Sequence, residues 1–437
     1  MTEFWCESAW VNGAVANGVV IDSDERGVVT AVGQTKTCPP GATRLTGLTL
    51  PGFANTHSHA FHRALRGRIQ RGGGSFWEWR DAMFELAAKL DPDSYLDLAT
   101  AVFSEMALAG YTLVGEFHYL HHQSGGRPYG EQNAMGMALA EAANRAGIRL
   151  TLLDACYLQG GIEQALAPTQ FRFADGDVAR WAERVDGLQA DEMVRIGAAI
   201  HSVRAVPRSA LATIAEFAAD RPLHMHLSEQ SAENEQTIAA FGVTPTALAA
   251  DEGIMTSNFT AVHAIHLTPA DVTALADAGV TVCACPTTEA DLGDGIGPFA
   301  ELKELGIRIA LGSDQHVYLD PFLEAQRLEM DQRLRSSRRT HFQPEELLTS
   351  LTTSGYRSLG WPEGGAIEVG SLCDLTTIGF DSVRTAGSRG AEVLLAAAAA
   401  DVIDVVVGGR SIVAGGKHVS GDVGRQLSAV IESVWER

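Results

Sequence analysis

The sequence predicts an α/β protein: a (β/α)8 barrel of the TIM type with a small β-sandwich domain assembled from both chain ends. Three observations predict it. Between about residues 50 and 312, short apolar runs alternate with longer amphipathic stretches, as in repeated parallel βα units. The apolar runs number eight, which is the count that closes such a barrel. Both flanks are instead strand-like and punctuated by glycine, and so read as one antiparallel module; two unrelated extensions are the alternative.

In chain order, residues 1–50 open with strand-like pieces, and GVVIDSDERGVVTAVG reads as a hairpin turning near Asp24 to Gly27. The catalytic barrel spans 51–360 in this reading. Its strands are LTLPGFA at 48–54, YTLVGEF at 111–117, IRLTLLD at 148–154, VRIGAAI at 194–200, PLHMHL at 222–227, NFTAVHA at 258–264, GVTVCAC at 279–285 and GIRIALG at 306–312. The helices between them carry their own start and stop signals. DSYLDLATAVFSEMALAG begins at an Asp/Ser cap and stops at Gly110, and LTPADVTALADAG has Thr268 as cap, Pro269 in the first turn and Gly279 at the exit. Residues 361–437 return to the flavour of the first flank, with VVVGGRSIVAGG a second hairpin at Gly408 and Gly409. A Gly-rich loop, RGGGS, stands at 71–75, and the sequence leaves open whether it closes over a bound molecule or reaches into a neighbouring subunit.

At 437 residues, 46% hydrophobic and 20% charged, the chain can bury a large core. A formal net charge of −21 argues against nucleic acid or an anionic membrane as partner, so an anionic substrate needs local arginines. The six cysteines form no CxxC pair, which suits reduced thiols in the cytoplasm, and Cys283 and Cys285 read as small packed residues of a strand rather than ligands. MTEFWCESAW does not read as a secretory signal, and VLLAAAAADV is too short to span a bilayer.

The active face of a barrel is the C-terminal rim of its strands, and the residues just past each strand here are rich in chemistry. After the first come His57 and His59; after the second, Glu116, His118, Tyr119, His121 and His122; after the fourth, His201 and Arg204. The fifth ends in His224, His226 and Glu229, the sixth in His263 and His266, the seventh in Thr287, Thr288 and Glu289, and the eighth in Asp314 and His316. Strand alternation puts His57 and His59 on one face. With His226 and Asp314 they make a mononuclear set of three imidazoles and a carboxylate, suited to Zn²⁺ without excluding Fe²⁺ or Mn²⁺. No lysine stands after the third or fourth strand to bridge a second metal. Glu229, three residues past His226, is the best-placed proton shuttle, with a first-turn acid of the next helix as its alternative reading. His263 is read as stabilising developing negative charge, or alternatively as a buried structural histidine.

FANTHSHAFHRALRG, EFHYLHH, HSVRAV, HMHLSEQ, VHAIHLT, CPTTEADLGDG and LGSDQHV, in this order, resemble the amidohydrolase superfamily and, within it, the formimidoylglutamate deiminases. The resemblance implies one Zn²⁺ per subunit, a cytoplasmic homodimer of histidine degradation, and hydrolysis of N-formimino-L-glutamate to N-formyl-L-glutamate and ammonia. It assigns His57, His59, His226 and Asp314 to the metal, and Glu229, His263 and Asp314 to catalysis. Tyr119, His201 and Arg204 fall on positions that contact substrate, and Arg80 in SFWEWRDAMF looks like the partner of a second carboxylate, although a surface salt bridge is its default reading. His62 stands where the family commonly has glutamine, so an imidazole that can titrate replaces an amide near the substrate. The mechanism expected is attack of water, acidified by the ion, on the formimino carbon. Asp314 takes the first proton, Glu229 carries one to the departing nitrogen, and His263 steadies the tetrahedral intermediate. The competing readings are a deaminase acting on a purine, pterin or triazine ring, and a non-catalytic barrel scaffold.

Overall fold

A computed structural model describes residues 2–69 and 76–437; the loop 71–75 lies outside them. The N-terminal flank forms β1 (Thr2–Val11), β2 (Ala14–Ser23), β3 (Val29–Gln34) and β4 (Thr43–Pro51). A two-residue Asn12-Gly13 loop joins β1 to β2 with φ of 53° and 77°, the left-handed pair that a tight hairpin requires. The expected Asp24–Gly27 turn joins β2 to β3, closed by hydrogen bonds from Asp24 N to Val28 O and from Gly27 N to Asp24 O.

The barrel strands are β5 (Phe53–Ser58), β6 (Tyr111–His118), β7 (Arg149–Cys156), β8 (Val194–Ile200), β9 (Leu223–Leu227), β10 (Phe259–His263), β11 (Thr281–Ala284) and β12 (Arg308–Leu311). They pair in parallel in sequence order. Every residue of β6 and β7 is buried, as expected of strands covered by side chains within and helices without. Closure runs through the rim: β12 meets β5 by the Ser58–Asp314 bridge, with Asp314 N donating to His57 O at 2.9 Å and His59 N to Asp314 O at 3.1 Å.

The chain ends in β13 (Leu375–Ile378), β14 (Val402–Val407), β15 (Arg410–Ala414) and β16 (Lys417–His418). These join the first flank in one mixed sheet, ordered β16-β15-β14-β13-β4-β1-β2-β3. Gly408 and Gly409, at φ of 55° and 71°, make the expected turn between β14 and β15. Arg149 on β7 ties the two sheets together: its Nε and Nη2 donate to Asp374 at 2.9 and 3.2 Å, and Tyr356 Oη and Gly408 N donate to the same carboxylate.

One expected strand is corrected. LTLPGFA is not a single strand; its first residues end β4 in the terminal sheet, and its last begin β5 in the barrel. Gly52 is the crossing point, where a Cβ would sit 2.2 Å from Thr112 Oγ1. The helix predicted from Asp93 begins at Pro92 and is capped by Asp91, whose side chain and that of Ser94 accept each other's backbone N–H before Gly110 ends the helix. Among the described residues no helix is long and apolar enough to cross a membrane.

Candidate functional site

Strand alternation sends His57 and His59 to the barrel axis, where their ring centroids are 4.7 Å apart. His226, at the end of β9, brings its Nε2 to 3.1 Å from His57 Nε2, and Asp314 Oδ1 lies 3.5 and 3.3 Å from the Nε2 atoms of His57 and His59. One donor atom from each of the four lies within 4.8 Å of all the others. Second partners fix the rings. His59 Nδ1 faces the carbonyl of Phe117 at 2.9 Å and His226 Nδ1 that of His201 at 2.8 Å. A carbonyl only accepts, so Nδ1 carries the proton in both and the Nε2 lone pairs point inward. Burial, and for His57 the neighbouring histidines, hold the three imidazoles well below their ordinary pKa, hence neutral. Burial raises the Asp314 carboxyl to about 7 against the pull of His263, so a cation among these donors is the group that would keep it ionised. The set suits a divalent metal.

Ser58, between the two histidines, faces the other way. Its hydroxyl donates to Glu116 Oε2 at 2.6 Å and meets His316 Nε2 at 2.9 Å, while Glu116 Oε1 accepts from Ala60 N. Glu116 thereby clamps the backbone on both sides of His59. Among the described residues nine other than glycine have positive φ, and five of them sit on this rim: Ser228, His263, Ala264, Asp314 and His316. Such conformations cost about 1–3 kcal/mol each and persist where the surrounding structure enforces them.

Glu229 lies outside the following helix, Ser231–Phe241, so the first-turn acid of that helix is Glu233 instead. Glu229 Oε1 is 3.8 Å from His263 Nε2, and its Oε2 accepts from Arg204 Nη2 at 2.7 Å. Burial works to raise the Glu229 carboxyl, but Arg204 and His263 outweigh it and hold it below the usual range. His263 is held from behind by Glu289, whose Oε1 lies 3.4 Å from its Nδ1 and also accepts from Cys285 N. Burial opposes a charge on His263; Glu289, Glu229 and Asp314 outweigh it and push the imidazole up to about 10.

A cavity of about 260 Å³ opens over these groups, and His62, Arg80, Tyr119, His201 and Arg204 all line it. His62 Nε2 meets the Tyr119 hydroxyl at 2.8 Å, and burial keeps this imidazole well below its ordinary pKa, so it presents a neutral side chain. The Arg80 guanidinium lies over the Phe84 ring, 5.6 Å from its centroid. Trp79, Tyr157 and Gln315 also line the cavity, and reading the sequence alone misses them. Tyr157 comes directly after β7, so a reading carried past the predicted end of the third strand would find it.

Not every rim histidine belongs here. At the end of β6, Phe117 and, one residue past the strand, Tyr119 face the axis, while His118 turns outward onto Tyr95 with ring centroids 6.2 Å apart. His224 sits one layer below His226, against Ser358. His118, His121 and Asp154 are grouped closely enough to suggest a second metal set. Asp154, however, is already occupied by both Arg184 Nη atoms at 2.7 and 2.8 Å and by Trp181 Nε1. Arg184 also binds Asp175, whose Oδ1 lies 2.9 Å from His122 Nε2. The cluster is a buried ion-pair network beside the barrel.

This network makes stability acid-sensitive. Burial alone would raise both carboxyls, yet Arg184 outweighs it on Asp154, and His122 with Arg184 on Asp175, so both lie below the ordinary range. Burial lowers His121 to about 4. Groups with depressed folded pKa bind protons more readily when unfolded, so stability falls as pH falls. The loss begins below about 6.5 as His121 becomes protonatable only in the unfolded chain, and deepens below about 4 as the carboxyls follow. The urea midpoint should therefore fall steadily from pH 7 to pH 4; a midpoint that holds or rises over that interval contradicts the network's role.

The sequence profile described as "Amidohydrolase family" matches residues 48–412. Formimidoylglutamate deiminase from Pseudomonas aeruginosa is 36% identical over 397 residues, covering 86% of this chain and 87% of that one. 8-Oxoguanine deaminase from the same species is 30% identical, covering 83% and 81%. Among solved structures, an amidohydrolase from Brucella melitensis superposes with a TM-score of 0.92 at 30% identity, with 100% of each chain covered. An adenosine deaminase from Xanthomonas campestris with bound zinc, 21% identical and covered to 98%, has a TM-score of 0.85 over the whole of this chain and shares the fold.

Proposed function

From the premise that the chain belongs to the amidohydrolase family, we propose that it is a zinc-dependent deiminase hydrolysing N-formimino-L-glutamate to N-formyl-L-glutamate and ammonia. The observation that carries this reading is one cavity in which two arginines, Arg80 and Arg204, stand beside Glu229 and three of the four converging metal donors, His59, His226 and Asp314. A small dianion with an amidine end fits that distribution: guanidinium groups take carboxylates, and the polar rim takes the C=N carbon. The 36%-identical deiminase from P. aeruginosa supports the same substrate.

His57, His59, His226 and Asp314 would hold the ion, three neutral nitrogens and one carboxylate being a zinc-type set. Bound there, a divalent ion acidifies water and polarises the substrate's C=N bond. Asp314 takes the first proton from the attacking water. Glu229, ionised at rest, takes up the water's second proton and gives it to the departing nitrogen, the proton on Asp314 following, so that this nitrogen gains both protons of the water and leaves as neutral ammonia. His263, held protonated by Glu289, Glu229 and Asp314, steadies negative charge on the oxygen of the tetrahedral intermediate. Arg204, with His201 and Tyr119 beside it, receives one carboxylate, and Arg80 the other. His62 acts as a neutral hydrogen-bonding wall through Tyr119.

The same reading divides the chain into a catalytic barrel, 51–360, and a terminal β-sandwich module, 1–50 with 361–437. A separate small core of Phe4, Cys6, Ile21, Leu45, Cys373 and Val406 supports the latter. It also takes the enzyme as a cytoplasmic homodimer serving histidine degradation, with its six cysteines free. The 8-oxoguanine deaminase relative favours a ring substrate as second reading. Kinetics separate the two. N-formimino-L-glutamate should exceed guanine, 8-oxoguanine and adenosine in kcat/KM by about 10³-fold or more, since a neutral ring brings no carboxylates for Arg80 and Arg204 to bind. Comparable values on any of the three rings overturn the proposal.

A further inference from the structure

Arg204 is a carboxylate receptor whose binding edge is already taken by a carboxylate of the protein itself. Its Nη2 donates to Glu229 Oε2 at 2.7 Å, and its Nε lies 4.0 Å from Glu233 Oε1 without a hydrogen-bond partner. The Arg204 side chain is 22% exposed towards the cavity, whereas Glu233 is fully buried. Glu233 Oε2 also accepts from Glu229 N at 3.2 Å, so the backbone of Glu229 is anchored independently of its side chain. On its other side Glu229 faces His263, with Oε1 3.8 Å from Nε2.

Resting on the substrate reading above, we propose that the substrate's own carboxylate displaces Glu229 from Arg204, and that this exchange releases Glu229 to move its proton. Charge counting in a buried place leads to the exchange. Glu229, Glu233 and an incoming carboxylate cannot all crowd one guanidinium, because like charges a few ångströms apart at low effective dielectric repel strongly. Glu233 cannot leave, being buried and bonded to the backbone. Glu229 can, because its Oε1 already faces His263 Nε2 at 3.8 Å, a second polar partner away from Arg204. While pinned by Oε2, Glu229 cannot swing between the attacking water and the leaving nitrogen; once released, it can. The carboxylate of the substrate is then needed for turnover as well as for binding, which is binding energy from a remote group converted into rate. Specificity for amino-acid amidines over simple ones appears in kcat.

The test uses the zinc-loaded full chain and N-propylformamidine, which keeps the amidine and lacks both carboxylates. Wild-type kcat on it should be lower than on N-formimino-L-glutamate by about tenfold or more, and added glutarate should raise it. Arg204→Met should raise kcat on N-propylformamidine while lowering kcat/KM on N-formimino-L-glutamate, with Arg204→Lys intermediate and zinc content and circular dichroism reporting that both variants are folded. In a crystal structure with N-formyl-L-glutamate, the Arg204–Glu229 contact should open beyond hydrogen-bonding distance, with a ligand carboxylate in its place. Inhibition by glutarate on the small amidine, loss of both activities together in a folded Arg204→Met, or an intact Arg204–Glu229 pair beside bound ligand each overturns the exchange. If the wild type releases no ammonia from N-formimino-L-glutamate, the substrate reading fails separately; the effects of glutarate and Arg204→Met on the small amidine still decide the exchange.

Discussion

Replacing Glu229 by glutamine should leave the protein folded and able to bind its metal, and lower kcat by about 10²–10⁴-fold. The amide has nearly the same shape and can still accept from Arg204 through its oxygen, so the 2.7 Å contact to Nη2 is retained in form. What is lost is a group that takes and gives a proton beside His263, at the 3.8 Å separation seen here. Glu229 is not among the four converging donors, so zinc content should stay at wild-type level. A Glu229→Gln protein that turns over at a near-normal rate removes this residue from proton transfer. One that loses zinc and activity together makes its role structural.

Stripping the divalent ion with a chelator should abolish turnover, and one equivalent of Zn²⁺ should restore it. The physical reason lies in the donor set: three neutral imidazoles converge on one point beside a carboxyl that burial raises to about 7 even against the pull of His263. Stability should follow the ion. Free Zn²⁺ at a hundred times its dissociation constant should add about 2.7 kcal/mol, read as a higher melting temperature. His226→Ala, which removes a ligand held in place by the His201 carbonyl, should not regain activity with one equivalent. Full turnover by protein shown to be metal-free by mass spectrometry contradicts this account of the site.

The fold was legible because a parallel barrel repeats: each strand is a short apolar run, and helices such as Pro92–Ala109 and Pro269–Ala278 announce their cap and their terminal glycine. The first strand was misplaced for the same reason. β4 is central in its sheet and β5 is covered on both faces, so neither alternates, and LTLPGFA runs through two sheets with only Gly52 to mark the crossing. Within the site, the residues standing directly on strand ends were readable from position alone, among them His57, His59, His226, His263 and Asp314. Depth and side were harder. His224 and His226 share a face and differ only by a layer, and His118 differs from Tyr119 by one step of alternation at a strand end where the ladder stops. What was invisible is the set of long-range pairings. Glu116 reaches Ser58 across 58 residues and Glu289 reaches His263 across 26, and no local pattern announces either. The Arg204–Glu229 pair belongs to this class, since both residues stood out singly and their contact did not.

The measurement that bears most directly on the whole account is the product balance when zinc-loaded protein meets N-formimino-L-glutamate, with ammonia assayed enzymatically and the second product identified by mass spectrometry. Hydrolysis at the formimino carbon with loss of its terminal nitrogen predicts one ammonia and one N-formyl-L-glutamate per turnover. Glutamate with formamide, or no ammonia at all, contradicts it.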